Sequence, residues 1–199
     1  MQLYAITDNS LIKEEFFLET VEKVIIGGAK IIQYRDKSHD QQRRFQQAQA
    51  LLKLCQQYKI PLLINDDVAL AQQIGANGVH LGKNDTDISM ARAKLGNKAI
   101  IGVSCYNQLS LAKGAVNSGA DYVAFGRFFQ SRTKPEANSC SLKLLSEARQ
   151  QLSCPIVAIG GITPDNANLV MSAGADYLAV IHGLFGQIDV LAAAQAYNL

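Results

Sequence analysis

Four Gly-Ala pairs constrain this chain more than any other feature. They are Gly28-Ala29, Gly75-Ala76, Gly119-Ala120 and Gly174-Ala175. Each closes an apolar helical pattern and opens an extended apolar run. Glycine just past a helix adopts positive φ without steric cost, so each pair marks the same helix-to-strand corner. The corners recur at near-equal intervals, each about two βα units long, and internal similarity of this kind indicates a repeated architecture. Eight such units closing on themselves predict a compact (β/α)8 TIM barrel with a closed parallel sheet, in one domain over residues 1–199. An open doubly wound sheet is the runner-up. No GxGxxG follows the first strand, which counts against it.

The expected strands are Leu3 to Thr7, Lys30 to Arg35, Pro61 to Ile64, Gly78 to Leu81, Ala99 to Ser104, Tyr122 to Gly126, Pro155 to Ile159 and Tyr177 to Ile181. The run Pro61 to Ile64 has no polar alternation, which suits a strand covered on both faces. The expected helices are Ile12 to Ile26, Asp40 to Gln57, Val68 to Ile74, Ile88 to Leu95, Gln108 to Asn117, Leu142 to Gln151, Pro164 to Ser172 and Val190 to Tyr197. On the first, Phe16, Val21, Val24 and Ile25 form the apolar stripe. Residues 127 to 139 form a loop longer than ordinary connections, and such loops are commonly functional.

Composition limits the classes of function. Hydrophobic residues make up 48% of the chain and the net charge is +2, which fits a folded core and gives no general basic surface for nucleic acid. Cys55, Cys105, Cys140 and Cys154 show no CxxC pairing, so ordinary thiols in a reducing cytosol are expected. Neither a signal-peptide pattern nor an apolar run long enough to span a bilayer occurs, so no membrane partner is expected.

In a barrel of this kind the C-terminal strand ends form the active face. Gln33, Arg35 and Lys37 alternate along the end of the second strand, and period two projects Gln33 and Arg35 into the mouth. An arginine fork beside a lysine suits a diphosphate. The third and fourth strands deliver Asn65, Asp66 and Asp85 to the same edge. Asp66 and Asp85 are hard oxygen ligands for Mg²⁺ when a substrate supplies further oxygens; as single residues they equally suit helix N-caps. Ser104 ends the fifth strand, where it suits either this site or the N-cap of the helix that follows. Ser131, Arg132, Thr133 and Lys134 offer hydroxyls and cations on the long loop. Gly160-Gly161 and Ile181-His182-Gly183 follow the seventh and eighth strands, where backbone N–H groups can approach a phosphate. Two separate anion sites imply two phosphorylated substrates. His80, between Val79 and Leu81, reads as a packing histidine, and no Ser-His or Cys-His pairing supports a hydrolytic triad.

Several segments, taken in order, resemble the thiamine-phosphate synthase (pyrophosphorylase) family over essentially the whole chain. They are LYAITD at 3–8, IIQYRDK at 31–37, LLIND at 62–66, GANGVHLGKND at 75–85, IGVS at 101–104, ADYVAFGRFF at 120–129, SRTK at 131–134, AIGGI at 158–162 and AGADYLAVI at 173–181. The resemblance implies a transferase that joins a hydroxymethylpyrimidine diphosphate to a thiazole phosphate, releasing diphosphate. It implies that Gln33, Tyr34, Arg35, Asp36, Lys37, Asn65, Ser104 and Lys134 bind the pyrimidine diphosphate. Asp66 and Asp85 hold Mg²⁺ in that scheme, and Ser131, Arg132, Thr133, Gly161, Ile181 and His182 bind the thiazole phosphate. Arg35, Lys37, Ser104 and Lys134 form the implied catalytic set, acting on a dissociative loss of diphosphate that needs no protein nucleophile. The resemblance also implies a cytoplasmic homodimer. The family often carries Pro-Thr at Gln130-Ser131, Pro at Arg127 and Ser at His182; Ser131 keeps the hydroxyl. Two alternatives remain: a thiazole tautomerase-like isomerase on the same barrel, and a non-catalytic sensor of a phosphorylated ligand. The diphosphate-binding set favours the synthase.

Overall fold

The computed structural model describes residues 2–82, 87–130 and 139–198. Eight parallel strands pair in sequence order, β1 to β8, and β8 pairs with β1 to close the barrel. They are β1 (Gln2–Ile6), β2 (Ala29–Tyr34), β3 (Leu62–Asn65), β4 (Gly78–Leu81), β5 (Ile100–Tyr106), β6 (Tyr122–Gly126), β7 (Ile156–Ile159) and β8 (Tyr177–Val180). The expected closed sheet is therefore the observed one, and the doubly wound alternative is set aside.

The outer layer comprises α1 (Phe17–Ile26), α2 (Gln41–Gln57), α3 (Val68–Ile74), α4 (Ile88–Leu95), α5 (Leu109–Asn117), α6 (Leu142–Gln151), α7 (Pro164–Ser172), α8 (His182–Phe185) and α9 (Val190–Gln195). Several boundaries shift by one or two residues, and two differences are larger. The first helix starts at Phe17, after a 3₁₀ turn at Glu14–Phe16, so Phe17 packs inward while Phe16 is exposed. The short α8 directly after β8 has no counterpart in the sequence reading; four residues are too few for a periodic signal. No helix of the described residues is long and apolar enough to cross a membrane.

Period two along each strand separates two cores. Leu3, Ala5, Ile32, Tyr34, Val79 and Leu81 face the helices, while Tyr4, Ile6, Ile31, Leu63, Tyr122 and Val157 fill the barrel interior. Cys55, Cys105 and Cys140 are buried, and burial pushes their thiols up to about 12, 12 and 11. They are unreactive packing residues.

The Gly-Ala repeat has a structural counterpart at the end of the barrel opposite the mouth. All four glycines take positive φ, at 114°, 72°, 94° and 117°. In three repeats the residue after the alanine makes a reciprocal clamp on the preceding strand. Asn77 Oδ1 accepts from the Leu62 N–H at 2.9 Å, while the Asn77 N–H donates to the Leu62 carbonyl at 3.0 Å. Asp121 and Asp176 repeat this on Ile101 and Ile156, each carboxylate accepting at 2.7 Å. Arg92 and Arg149 brace these two carboxylates at 2.7 and 2.9 Å. The fourth repeat has Lys30, which has no acceptor, and β1–β2 is a pair whose register shifts near this end, between Leu3 and Tyr4.

Candidate active site

A cavity of about 540 Å³ opens at the C-terminal strand ends, within the range of small-molecule sites. Gln33, Arg35, Asn65, His80 and Ser104 line one side. Gly160, Gly161, Ile181, His182 and Gly183 line the other.

On the first side, β2 ends with Gln33 turned inward and nearly buried. Arg35 lies one pleat further, and its guanidinium donates to Asp8 Oδ2 at 2.7 Å. Thr7 holds the same turn, its hydroxyl accepting from the Arg35 N–H at 2.9 Å. Asp8 is in turn fixed by the Ser10 N–H and hydroxyl. Asp8 thus orients the cation, a role the sequence reading did not assign. Its position at the end of β1, matching Asp66 at the end of β3, was the available signal.

Asp66 has φ 63°, unusual for a residue with a side chain, and its N–H donates to the His80 carbonyl at 2.8 Å. Its carboxylate meets the Lys37 ammonium. The helix cap is Asp67, whose side chain accepts from the Leu70 N–H at 2.9 Å and pairs with Arg44 at 2.8 Å. So Asp67, not Asp66, caps α3. Ser104 is likewise no N-cap, since α5 starts after Gln108; its hydroxyl meets His80 Nε2 at 2.8 Å.

Three residues of the β2 segment do not line the cavity: Tyr34, Asp36 and Lys37, the last meeting Asp66, which also lies outside the lining. Tyr34 points to the helix layer, packed edge-on against Phe17, with its hydroxyl donating to Gln47 at 3.0 Å. Asp36 has a buried side chain that accepts from the Ser38 N–H at 2.7 Å and from Arg43 at 2.8 Å. Burial alone raises its pKa, but the Ser38 and Arg43 contacts outweigh this and hold the carboxyl below its usual range. Parity explains the first two: Gln33 and Arg35 face inward, so Tyr34 and Asp36 face outward.

On the second side, Gly160 and Gly161 have φ of 102° and 66°. A Cβ on Gly161 would collide with the Gln130 carbonyl oxygen. The Phe129 N–H donates to the Gly160 carbonyl at 3.0 Å. These glycines therefore seat the start of the long loop as well as leaving backbone open to the cavity. The His182 ring packs over Gly186. Arg127 also lines the cavity. Asp85, Ser131, Arg132, Thr133 and Lys134 lie outside the described residues.

The cavity floor is polar. Gln33 Nε2 donates to the Tyr4 hydroxyl at 2.6 Å, the Tyr4 and Tyr122 hydroxyls meet at 2.8 Å, and the Tyr122 hydroxyl meets His80 Nδ1 at 2.8 Å. His80 is buried, as expected of a packing residue, yet it also lines the cavity and stacks on Tyr122 at 5.7 Å. Burial pushes both tyrosine pKa values well above the ordinary phenol, so both keep their protons at neutral pH. From sequence alone Tyr4 and Tyr122 had no role and His80 only a packing one, because inward and outward residues are both buried in such a barrel.

The thiamine monophosphate synthase family model matches residues 3–184. The chain belongs to this family. It is 56% identical over 196 residues to a thiamine-phosphate synthase of Nitrosococcus oceani, covering 98% of this chain and 90% of the relative. It is 50% identical to that of Marinobacter nauticus, covering 98% and 89%. A solved thiamine phosphate pyrophosphorylase from Pyrococcus furiosus superposes with a TM-score of 0.90 at 34% identity, covering 99% of this chain and 93% of that one. The family's reaction makes this chain an enzyme that forms thiamine phosphate. None of these findings supports the isomerase or the sensor alternative.

Proposed function

We propose that the enzyme condenses 4-amino-2-methyl-5-(diphosphooxymethyl)pyrimidine with a thiazole phosphate, the first substrate over β2 to β5 and the second over β6 to β8. The observation that carries this reading is the single cavity with two unlike walls. One wall presents Arg35, Asn65 and Ser104, and the other presents Gly160, Gly161, Ile181 and His182 together with Arg127. An arginine fork among amide and hydroxyl groups suits a diphosphate, and glycines beside an arginine suit a monophosphate. Gln33, Lys37 and, on the long loop, Lys134 complete the pyrimidine diphosphate set. Ser131, Arg132 and Thr133 complete the thiazole phosphate set.

A magnesium ion fits the donor set. Mg²⁺ is held by one or two carboxylates plus substrate phosphates, and Asp66 offers a carboxylate not used in capping, with Asp85 as its partner. When bound, the ion supplies charge neutralisation for the departing diphosphate. Arg35 and Lys37 add to this, positioned by Asp8 and Asp66 before substrate arrives. The aminopyrimidine spreads positive charge from its exocyclic methylene as diphosphate leaves, and the thiazole nitrogen then attacks. The protein holds both rings in line and excludes water from the cation. Tyr34 and Asp36 serve the set by bracing the turn that carries Arg35 and Lys37 rather than by side-chain contact.

Diphosphate release tests the reading. It should require both substrates and Mg²⁺ together. Release with the pyrimidine substrate alone at an equal rate, or isomerisation of the thiazole alone, would overturn it. The cytoplasmic homodimer implied by the family belongs to the same proposal, and sedimentation equilibrium at working concentration checks the dimer.

A further inference from the structure

Hydroxyl-proton counting gives the polar floor a direction. Gln33 Nε2 can only donate, and it donates to the Tyr4 oxygen. Tyr4 is buried, with Gln33 and Tyr122 as its hydroxyl's hydrogen-bond partners. Its single proton therefore goes to the Tyr122 oxygen; the reverse arrangement would strand a buried proton with no acceptor. The Tyr122 proton goes in turn to His80 Nδ1. A neutral imidazole accepting at Nδ1 carries its proton on Nε2, and Nε2 meets the Ser104 oxygen. Ser104 is thus an acceptor from His80, and its own hydroxyl proton is left for the cavity it lines.

We propose that Tyr4, Tyr122 and His80 are positioning residues of the reaction, a one-way hydrogen-bond chain from Gln33 to Ser104 that turns the Ser104 hydroxyl toward the cavity as a donor to the pyrimidine diphosphate. This rests on the proposed placement of that substrate over β2 to β5. The chain spans β2, β1, β6, β4 and β5, so two side chains of the same subsite are set by one network. It leaves the Gln33 carboxamide oxygen as an acceptor beside the Ser104 donor. A substrate whose ring carries both acceptor nitrogens and an amino group suits such a fixed pair. Gly102 is part of the design: a Cβ there would collide with the Tyr122 ring.

Nitrogen-15 NMR of the histidine-labelled enzyme reads the tautomer, with the His80 signals assigned by their loss in His80→Gln. The expected pattern is a protonated Nε2 and an unprotonated Nδ1. A protonated Nδ1 in the wild-type enzyme would overturn the direction. Kinetics supply the second readout. Tyr122→Phe, which keeps the ring and removes the hydroxyl, should lower kcat/KM for the pyrimidine diphosphate about 10- to 100-fold while leaving KM for the thiazole phosphate unchanged. Wild-type kinetics in Tyr122→Phe, alongside impaired Ser104→Ala, would sink the chain and leave the site standing. Wild-type kinetics in Ser104→Ala would sink the site's use of Ser104 and this inference with it. Because the tautomer is read in the unmutated enzyme, poor folding of a variant cannot shield the proposal.

Discussion

Lys37 and Asp66 face each other across the ends of β2 and β3, ammonium against carboxylate. The pair is partly exposed, so its stabilising value is small, on the order of 0–1 kcal/mol. Its importance lies in what arrives. In the reaction proposed above, a magnesium diphosphate would bring a cation for Asp66 and an anion for Lys37, exchanging one ion pair for two. Asp66→Asn should reduce Mg²⁺-dependent turnover by about 100-fold or more, with thermal stability nearly unchanged. Turnover measured across a Mg²⁺ titration checks this; an unaltered magnesium dependence would remove Asp66 from the metal site.

Asp8 should matter as the holder of Arg35. Both side chains are mostly buried and meet at 2.7 Å. Asp8→Ala frees the guanidinium from its fixed direction, so KM for the pyrimidine diphosphate should rise about 10-fold. Arg35→Lys should not rescue function, because an ammonium cannot reproduce the planar fork. Steady-state kinetics with each substrate varied separately make the comparison.

Gly161→Ala should damage the other half of the cavity. Its positive φ and the Gln130 carbonyl leave no room for a methyl group. The expected cost is about 1–3 kcal/mol of strain, relieved by moving the start of the long loop. KM for the thiazole phosphate should rise while that for the pyrimidine diphosphate holds. An equal rise in both would show that the loop seat serves the whole cavity.

Asp36→Ala should lower stability and, by loosening the turn that carries Arg35 and Lys37, raise KM for the pyrimidine diphosphate only severalfold. The carboxylate is buried against Arg43 and the Ser38 N–H, contacts worth about 1.5–3 kcal/mol where a charged group is involved. Its folded pKa lies below the ordinary value of 3.8. A depressed carboxyl stabilises the fold above the unfolded pKa and loses that contribution as pH falls through the folded one. The gap in Tm between wild type and variant should therefore be full at neutral pH and shrink below about pH 4. A gap that stays constant into acid would mean packing, not charge, carries the effect.

The barrel was legible in the sequence because its corners need glycine, and glycine at a fixed offset leaves a visible repeat. The strand ends were legible because polar residues interrupt apolar runs there. Tyr34 and Asp36 turn away from the cavity for a physical reason already visible in the chain. Alternation puts them opposite Gln33 and Arg35, and the likeness of a contiguous segment overrode that alternation. His80 was harder. Both faces of a barrel strand are buried, so Val79 and Leu81 on either side do not reveal which way it points. Its partners Ser104 and Tyr122 are 24 and 42 residues away, and no local pattern joins them.

The clamps at the far end of the barrel carry a consequence for threading errors. Slipping a strand by one residue would reverse its alternation and expel every inward side chain. Asn77, Asp121 and Asp176 act as index pins against such slips for β3–β4, β5–β6 and β7–β8. The remaining pair, β1–β2, has no such pin among the described residues; higher up, Thr7 meets the Arg35 N–H and, inside the barrel, Gln33 meets Tyr4. That bond locates β2 against β1 from inside the barrel. The side chains we propose to receive the pyrimidine are then also the mark by which the first two strands find their alignment, so a variant that retunes the floor for another ring should also loosen the thread of the sheet.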